Sequence, residues 1–126
     1  MSLAEKISNA ELEIMRILWR EKKPVPFTDI RVELQNTKGW EKSTINTLIR
    51  RLTDKGVISS KKQSILYYTP NISEAEYIHA EEQNMFEKFY AGSAKKFVAA
   101  LCHRGKLSEA DIDELKAYFQ MGGSEK

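Results

Sequence analysis

The chain has 126 residues, 41% of them hydrophobic, with a formal net charge of +2 and one cysteine. That suffices for one compact domain, or for a small domain with an oligomerisation arm. No apolar run approaches the roughly 18 residues of a membrane span, and the N-terminal stretch lacks the basic-then-apolar layout of a signal peptide. A single thiol excludes an internal disulfide or a multi-cysteine metal site. The expectation is a soluble, cytoplasmic protein without metal or cofactor.

The charge is unevenly spread. Residues 1–71 hold 13 Lys and Arg against 8 Asp and Glu, whereas residues 72–126 hold 7 against 10. Within 38–62, Lys38, Lys42, Arg50, Arg51, Lys55, Lys61 and Lys62 face only Glu41 and Asp54. A polyanion would therefore meet the first half, and the acidic second half would stay away from it.

In chain order, Ser8 followed by Glu11 fits a capping box, and Ile7 with Leu12 fits the hydrophobic staple across it. The helix they open carries Leu12, Ile14, Met15, Ile17, Leu18 and Trp19, leaving little polar face. Lys22, Lys23, Pro24 and Pro26 end it. A second helix starts at Thr28 as N-cap, with Phe27 and Val32 as staple, and runs through Ile30 and Leu34 to about Asn36. Residues 36–39 form a turn, so a third helix follows at the spacing of a helix-turn-helix. Its start is open between Glu41, a poor N-cap, and Ser43 or Thr44.

The third helix lies in WEKSTINTLIRRLTDKG, residues 40–56. Ile45, Leu48, Ile49 and Leu52 recur at helical spacing and form one stripe to be buried. At about 100° per residue, Ser43, Thr47 and Arg50 point away from it, flanked by Asn46 on one side and Thr44 and Arg51 on the other. Hydroxyl, amide and guanidinium groups of this kind hydrogen-bond base edges and phosphates in a major groove. The competing reading is a solvated surface, which any amphipathic helix shows. Gly56 supplies a helix stop, and β-rich runs at 57–61 and 65–69, joined by 62–64, make a hairpin. Lys61 and Lys62 near its tip either lie along phosphates or protect a strand edge from aggregation. Tyr67 and Tyr68 alternate faces, so one packs inward and the other is free to reach a phosphate. Helix-turn-helix and hairpin together form a winged helix.

Pro70 and Asn71 close this domain, 1–71. Ser73 with Glu76 repeats the capping box, Ile72 with Tyr77 repeats the staple, and a helix runs through Ile78, Met85, Phe86 and Phe89. Gly92 and Ser93 break it. A further helix carries Phe97, Ala100 and Leu101; Ser108 with Asp111, stapled by Leu107 and Ile112, opens a last one through Leu115 and Phe119. Three short helices with acidic outer faces cannot bury enough apolar surface alone. The reading is a helical dimerisation domain, 72–126, that uses a second copy. A heterologous partner or packing back onto the first domain are the alternatives.

The fold class is therefore mainly α with a small β-wing: an N-terminal winged helix-turn-helix and a C-terminal helical dimerisation arm. Ser43, Thr44, Asn46, Thr47 and Arg50 are candidates to face bases, and Lys42, Arg51, Lys61, Lys62 and Tyr67 to hold phosphates. Ile78, Met85, Phe86, Phe89, Phe97, Leu101, Ile112, Leu115 and Phe119 are candidates for the dimer interface. Such an arm fixes the separation of two half-sites on double-stranded DNA. Cys102 and His103 do not suggest an enzyme, because adjacent helical residues point about 100° apart and cannot readily pair as nucleophile and base. The rival functions are a winged-helix module binding an acidic protein and a ligand-sensing winged-helix regulator.

The chain resembles the penicillinase-repressor family, the BlaI/MecI/CopY-type winged-helix repressors. The resemblance rests on ISNAELEIMRILW, on W-x-x-x-T-I-x-T-L-I-x-R-L-x-x-K-G across the third helix, on YYTP at the wing's end and on LSEADIDEL in the last helix. It implies a homodimeric transcriptional repressor on palindromic operators, paired through its C-terminal helices, with a regulatory protease as candidate partner. Ala100-Leu101 stands where the β-lactam branch is cleaved at Asn-Phe, and the tail MGGSEK lacks the cysteines of the copper branch. Ser43 and Asn46 replace the lysine and arginine of the antibiotic-resistance members.

Overall fold

The computed structural model describes residues 2–121, with side chains as far as Ala117, so the expectation for Phe119 lies outside the described residues. Two compact units emerge, Met1–Glu82 and Gln83–Lys126. The division falls later than the boundary expected at Asn71, because Ile72 and Tyr77 pack against the first unit's core. Ile78, expected in the dimerisation domain, accordingly belongs to the first unit, where it is exposed.

The first unit opens with a 3-10 turn at Ala4–Lys6, then α1 (Asn9–Glu21), β1 (Val25–Pro26), α2 (Phe27–Lys38), α3 (Lys42–Asp54), β2 (Ile58–Lys62), β3 (Leu66–Pro70) and the start of α4 (Glu74–Tyr90). The Ser8–Glu11 capping box forms with both bonds: the Ser8 backbone N–H donates to Glu11 Oε1 at 2.9 Å, and the Glu11 N–H to Ser8 Oγ at 3.2 Å. It satisfies amide groups that α1 leaves open at its N-terminus. Ile14, Met15, Ile17 and Leu18 of α1 are all buried, packed with Ile30 and Leu34 of α2 and the apolar stripe of α3.

The second helix begins at Phe27, with Pro26 as an N-cap that offers no side-chain bond, rather than at Thr28. The reason is a strand the sequence conceals. Val25 and Pro26 pair with Tyr68 and Tyr67, giving a three-stranded antiparallel sheet of order β1-β3-β2. Strand pairing thus fixes the backbone up to Pro26 and sets where α2 can start. Gly39, at φ +68°, caps α2 and leaves a short turn before α3. Glu41 caps α3 without a side-chain bond.

The end of α3 is a Schellman motif. The Gly56 N–H donates to the Thr53 carbonyl and that of Val57 to Leu52, both at 3.0 Å, with Gly56 at φ +78° where only glycine avoids strain. Val57 and Leu52 close it with a fully buried apolar contact. Because its amide is used there, the hairpin starts one residue later than expected, at Ile58, and the connecting residues are 63–65.

The Ser73–Glu76 box opens α4 as expected. The Trp19 Nε1–H donates to the Ile72 carbonyl at 2.8 Å, and the Trp19 and Tyr77 rings lie 5.4 Å apart, clamping the start of α4 to α1. The second unit contains the rest of α4, α5 (Ala94–His103) and α6 (Glu109–Met121). Phe97 packs edge-on to Phe86 and Tyr90, each at 5.4 Å between ring centres. Ser108 and Asp111 form the third box. None of residues 83–117 is fully buried.

Candidate nucleic-acid interface

The apolar stripe of α3 is inside: Ile45 and Leu52 are fully buried, and Leu48 and Ile49 nearly so. Burying four such side chains fixes the helix's rotation, so its opposite face is determined too. Ser43, Thr44, Asn46 and Arg50 are exposed on it, as are Lys42 and Arg51. Thr47 is half-buried, and its Oγ1 donates to the Ser43 carbonyl at 2.9 Å. Its proton is thereby used, leaving oxygen lone pairs and a methyl group to meet a ligand.

The cations divide into two sets. Arg16, Arg20, Lys38 and Lys55 each pair with a carboxylate, most closely Arg20 with Glu33 Oε1 and Lys55 with Glu11 Oε1, both at 2.6 Å. Arg20 in turn holds the Glu33 carboxyl below its ordinary range. Among the described residues, Lys42, Arg50, Arg51, Lys61 and Lys62 have no such partner. These five lie on α3 and the wing; elsewhere in the first unit Lys6, Lys22, Lys23 and Arg31 also lack a carboxylate among the described residues.

The sheet register sorts the wing. Lys61 sits opposite Tyr67 and Ser60 opposite Tyr68, so the first pair shares one face and the second the other. Lys62, opposite Leu66, shares the face of Ser60. Tyr68 is the inward tyrosine, 7% exposed, and burial pushes its phenol pKa up; Tyr67 remains partly accessible. Asn46, Arg50, Asp54, Ser60 and Tyr68 line a shallow hollow, bringing α3 and the wing together. Ser60 was not among the expected residues. Only its partnership with Tyr68 reveals it, and that requires the register.

A second residue missed by sequence reading holds α3 from behind. Lys55 Nζ, at the helix's C-cap, donates to Glu11 Oε1 and to the Lys6 carbonyl, each at 2.6 Å. Burial opposes ionisation of Glu11, but the hydrogen bonds from Lys55 and Ser8 outweigh it and bring the carboxyl below its ordinary pKa. The same carboxylate thus caps α1 and anchors the end of α3.

Comparison with known proteins places this arrangement. The Penicillinase repressor family model matches residues 7–121. The penicillinase repressor of Bacillus licheniformis is 33% identical over 91% of this chain and 90% of its own length. The methicillin resistance regulatory protein MecI of Staphylococcus aureus is 36% identical over 88% of this chain and 90% of its own. Among solved structures, the DNA-binding domain of the repressor BlaI superposes with a TM-score of 0.53 at 37% identity, covering 57% of this chain and 88% of that one. Monomeric Bacillus licheniformis BlaI, bound to the blaP half-operator, gives 0.50 at 38% identity, over 56% of this chain and 87% of that one. The first unit is therefore a winged helix of the BlaI kind. The chain belongs to the penicillinase repressor family, a family of transcriptional repressors rather than enzymes.

Proposed function

We propose that this chain is a sequence-specific DNA-binding repressor that acts as a homodimer on palindromic operators and is released by a cellular signal. The observation that carries the reading is the concentration on α3 and the wing of cations without a carboxylate partner among the described residues, Lys42, Arg50, Arg51, Lys61 and Lys62, beside the exposed hydroxyl and amide groups of α3. Unpaired bases exchange counterions for phosphates at little internal cost. The match to a BlaI–half-operator complex supports DNA binding by the first unit. In this reading Ser43, Thr44, Asn46, Thr47 and Arg50 meet base edges, and Lys42, Arg51, Lys61, Lys62 and Tyr67 hold the backbone.

Dimerisation would cover Ile78, Met85, Phe86, Phe89, Phe97, Leu101, Ile112 and Leu115, which are exposed or half-exposed in the single chain. Two copies place two recognition helices on half-sites a helical turn or a multiple of it apart, about 34 Å per turn. Ala100 and Leu101 stand in α5 where the resemblance puts the Asn-Phe pair of the β-lactam branch, so release by that cleavage does not carry over from the resemblance alone.

Titration against mixed-sequence DNA at low and moderate salt tests the electrostatic part: affinity should fall steeply as salt rises, by about 0.9 logarithmic units per phosphate neutralised for each decade of salt. The absence of any salt-dependent binding to this DNA would instead favour an acidic protein partner. Footprinting on the DNA upstream of its own gene should reveal two symmetric protected half-sites. A single protected half-site at saturation would remove the dimeric part.

A further inference from the structure

We infer that the groove at the C-terminal end of α1 is a binding site for a small, largely apolar carboxylic acid, one with an aromatic or alicyclic body. The groove encloses about 500 Å³ and lies wholly within the first unit. That volume is in the usual range for small-molecule sites. Leu18, Trp19, Pro24 and Pro70 line it with apolar surface, and Lys22, Lys23 and Glu74 are also at its edge.

The choice of ligand follows from charge and shape. An indole and two prolines offer flat surfaces for a ring, and water gains by leaving them. Lys22 and Lys23 are exposed and, among the described residues, lack an ion-pair partner. Lys22 stands at φ +57°, a left-handed conformation that costs a non-glycine residue energy. Glu74 is the one carboxylate in the lining, so the rim carries an excess of positive charge. An apolar acid fits that balance; an apolar cation or a bare inorganic anion does not. The lining also includes Thr69 and Ser73 of the β3–α4 connection, and Trp19 bonds Ile72 within that connection. A ligand seated there therefore touches the residue that clamps α4.

The site can be tested without DNA. Titrating the full chain with naphthoate should shift the Trp19 indole N–H resonance while leaving that of Trp40, which does not line the groove, in place. A dissociation constant of roughly 1 mM or below is expected for a probe this small. Neutral naphthylmethanol should bind several-fold more weakly. Lys22→Ala and Lys23→Ala should each weaken naphthoate about threefold, whereas Glu74→Gln should tighten it by a similar factor. Equal shifts of both indoles, equal affinity for acid and alcohol, or indifference to all three substitutions would overturn the assignment.

Discussion

The two units handle apolar surface in opposite ways. Residues 1–82 close a core around Ile14, Met15, Leu18, Ile30, Leu34, Ile45 and Leu52, each 2% exposed or less. Residues 83–117 contain no fully buried side chain, and Phe89 is 66% exposed beneath the Lys88 ammonium, 5.3 Å from its ring centre. Helix content does not separate them, since both have capped, regular helices. What separates them is layering. Helices packed against a sheet and one another cover their stripes from several sides, whereas three short helices without a further layer cover only part of theirs. The first unit buries a core of its own, whereas the second leaves exposed the apolar surface that the proposed second copy would cover.

Substitutions can break that contrast, beginning with the core. Leu52→Ala should cost the first unit about 2–5 kcal/mol in urea denaturation, because it opens a cavity under α3. A loss below about 1 kcal/mol would mean that this core is loosely packed after all. Phe89→Glu should instead leave the first unit's stability alone and raise the dimer dissociation constant about a hundredfold by sedimentation equilibrium, near 2.7 kcal/mol. An unchanged, strictly monomeric particle before and after would show that no second copy covers this surface.

Glu11→Gln probes the junction of α1 and α3, with an expected loss of about 1–3 kcal/mol as the Lys55 ammonium exchanges its carboxylate partner for a neutral amide oxygen. It also predicts a pH dependence. The Glu11 carboxyl is held below its ordinary value of 4.5, so its stabilising effect is complete above that value and is lost as pH falls through the lower, folded-state one. The glutamine variant should flatten the acid limb of the stability curve while leaving the neutral limb parallel to that of the parent. Smallest in energy are the surface changes. Arg51→Ala should lower the slope of log affinity against log salt by about one unit on every sequence, whereas Asn46→Ala should change the preference between operators. If Arg51→Ala altered base preference and left the salt slope untouched, the two roles would be exchanged.

Local chemistry was readable ahead of the fold. The pairs Ser8–Glu11, Ser73–Glu76 and Ser108–Asp111 all form the bonds that their spacing implies. The buried stripe of α3 and the glycine stop at Gly56 were equally plain, since each depends on residues within a few positions of one another. Long-range facts left no such trace. The strand at Val25–Pro26 is too short for a periodic signal, and it exists because β3 pairs with it. Without it, Thr28 looked like the better cap for α2.

The amino-acid order by itself therefore determined which segments coil, where most of them stop, and which side of each is apolar, because those properties arise from hydrogen bonds and side-chain spacing within single turns. Tertiary structure alone decided that Tyr68 turns inward and Tyr67 does not, that Ser60 joins Asn46 and Arg50 around one hollow, and that Glu11 serves Lys55 across 44 positions of chain. Those outcomes depend on strand register and on the meeting of distant helices. Neither is encoded in any one stretch, because each is selected by the burial free energy of the whole unit.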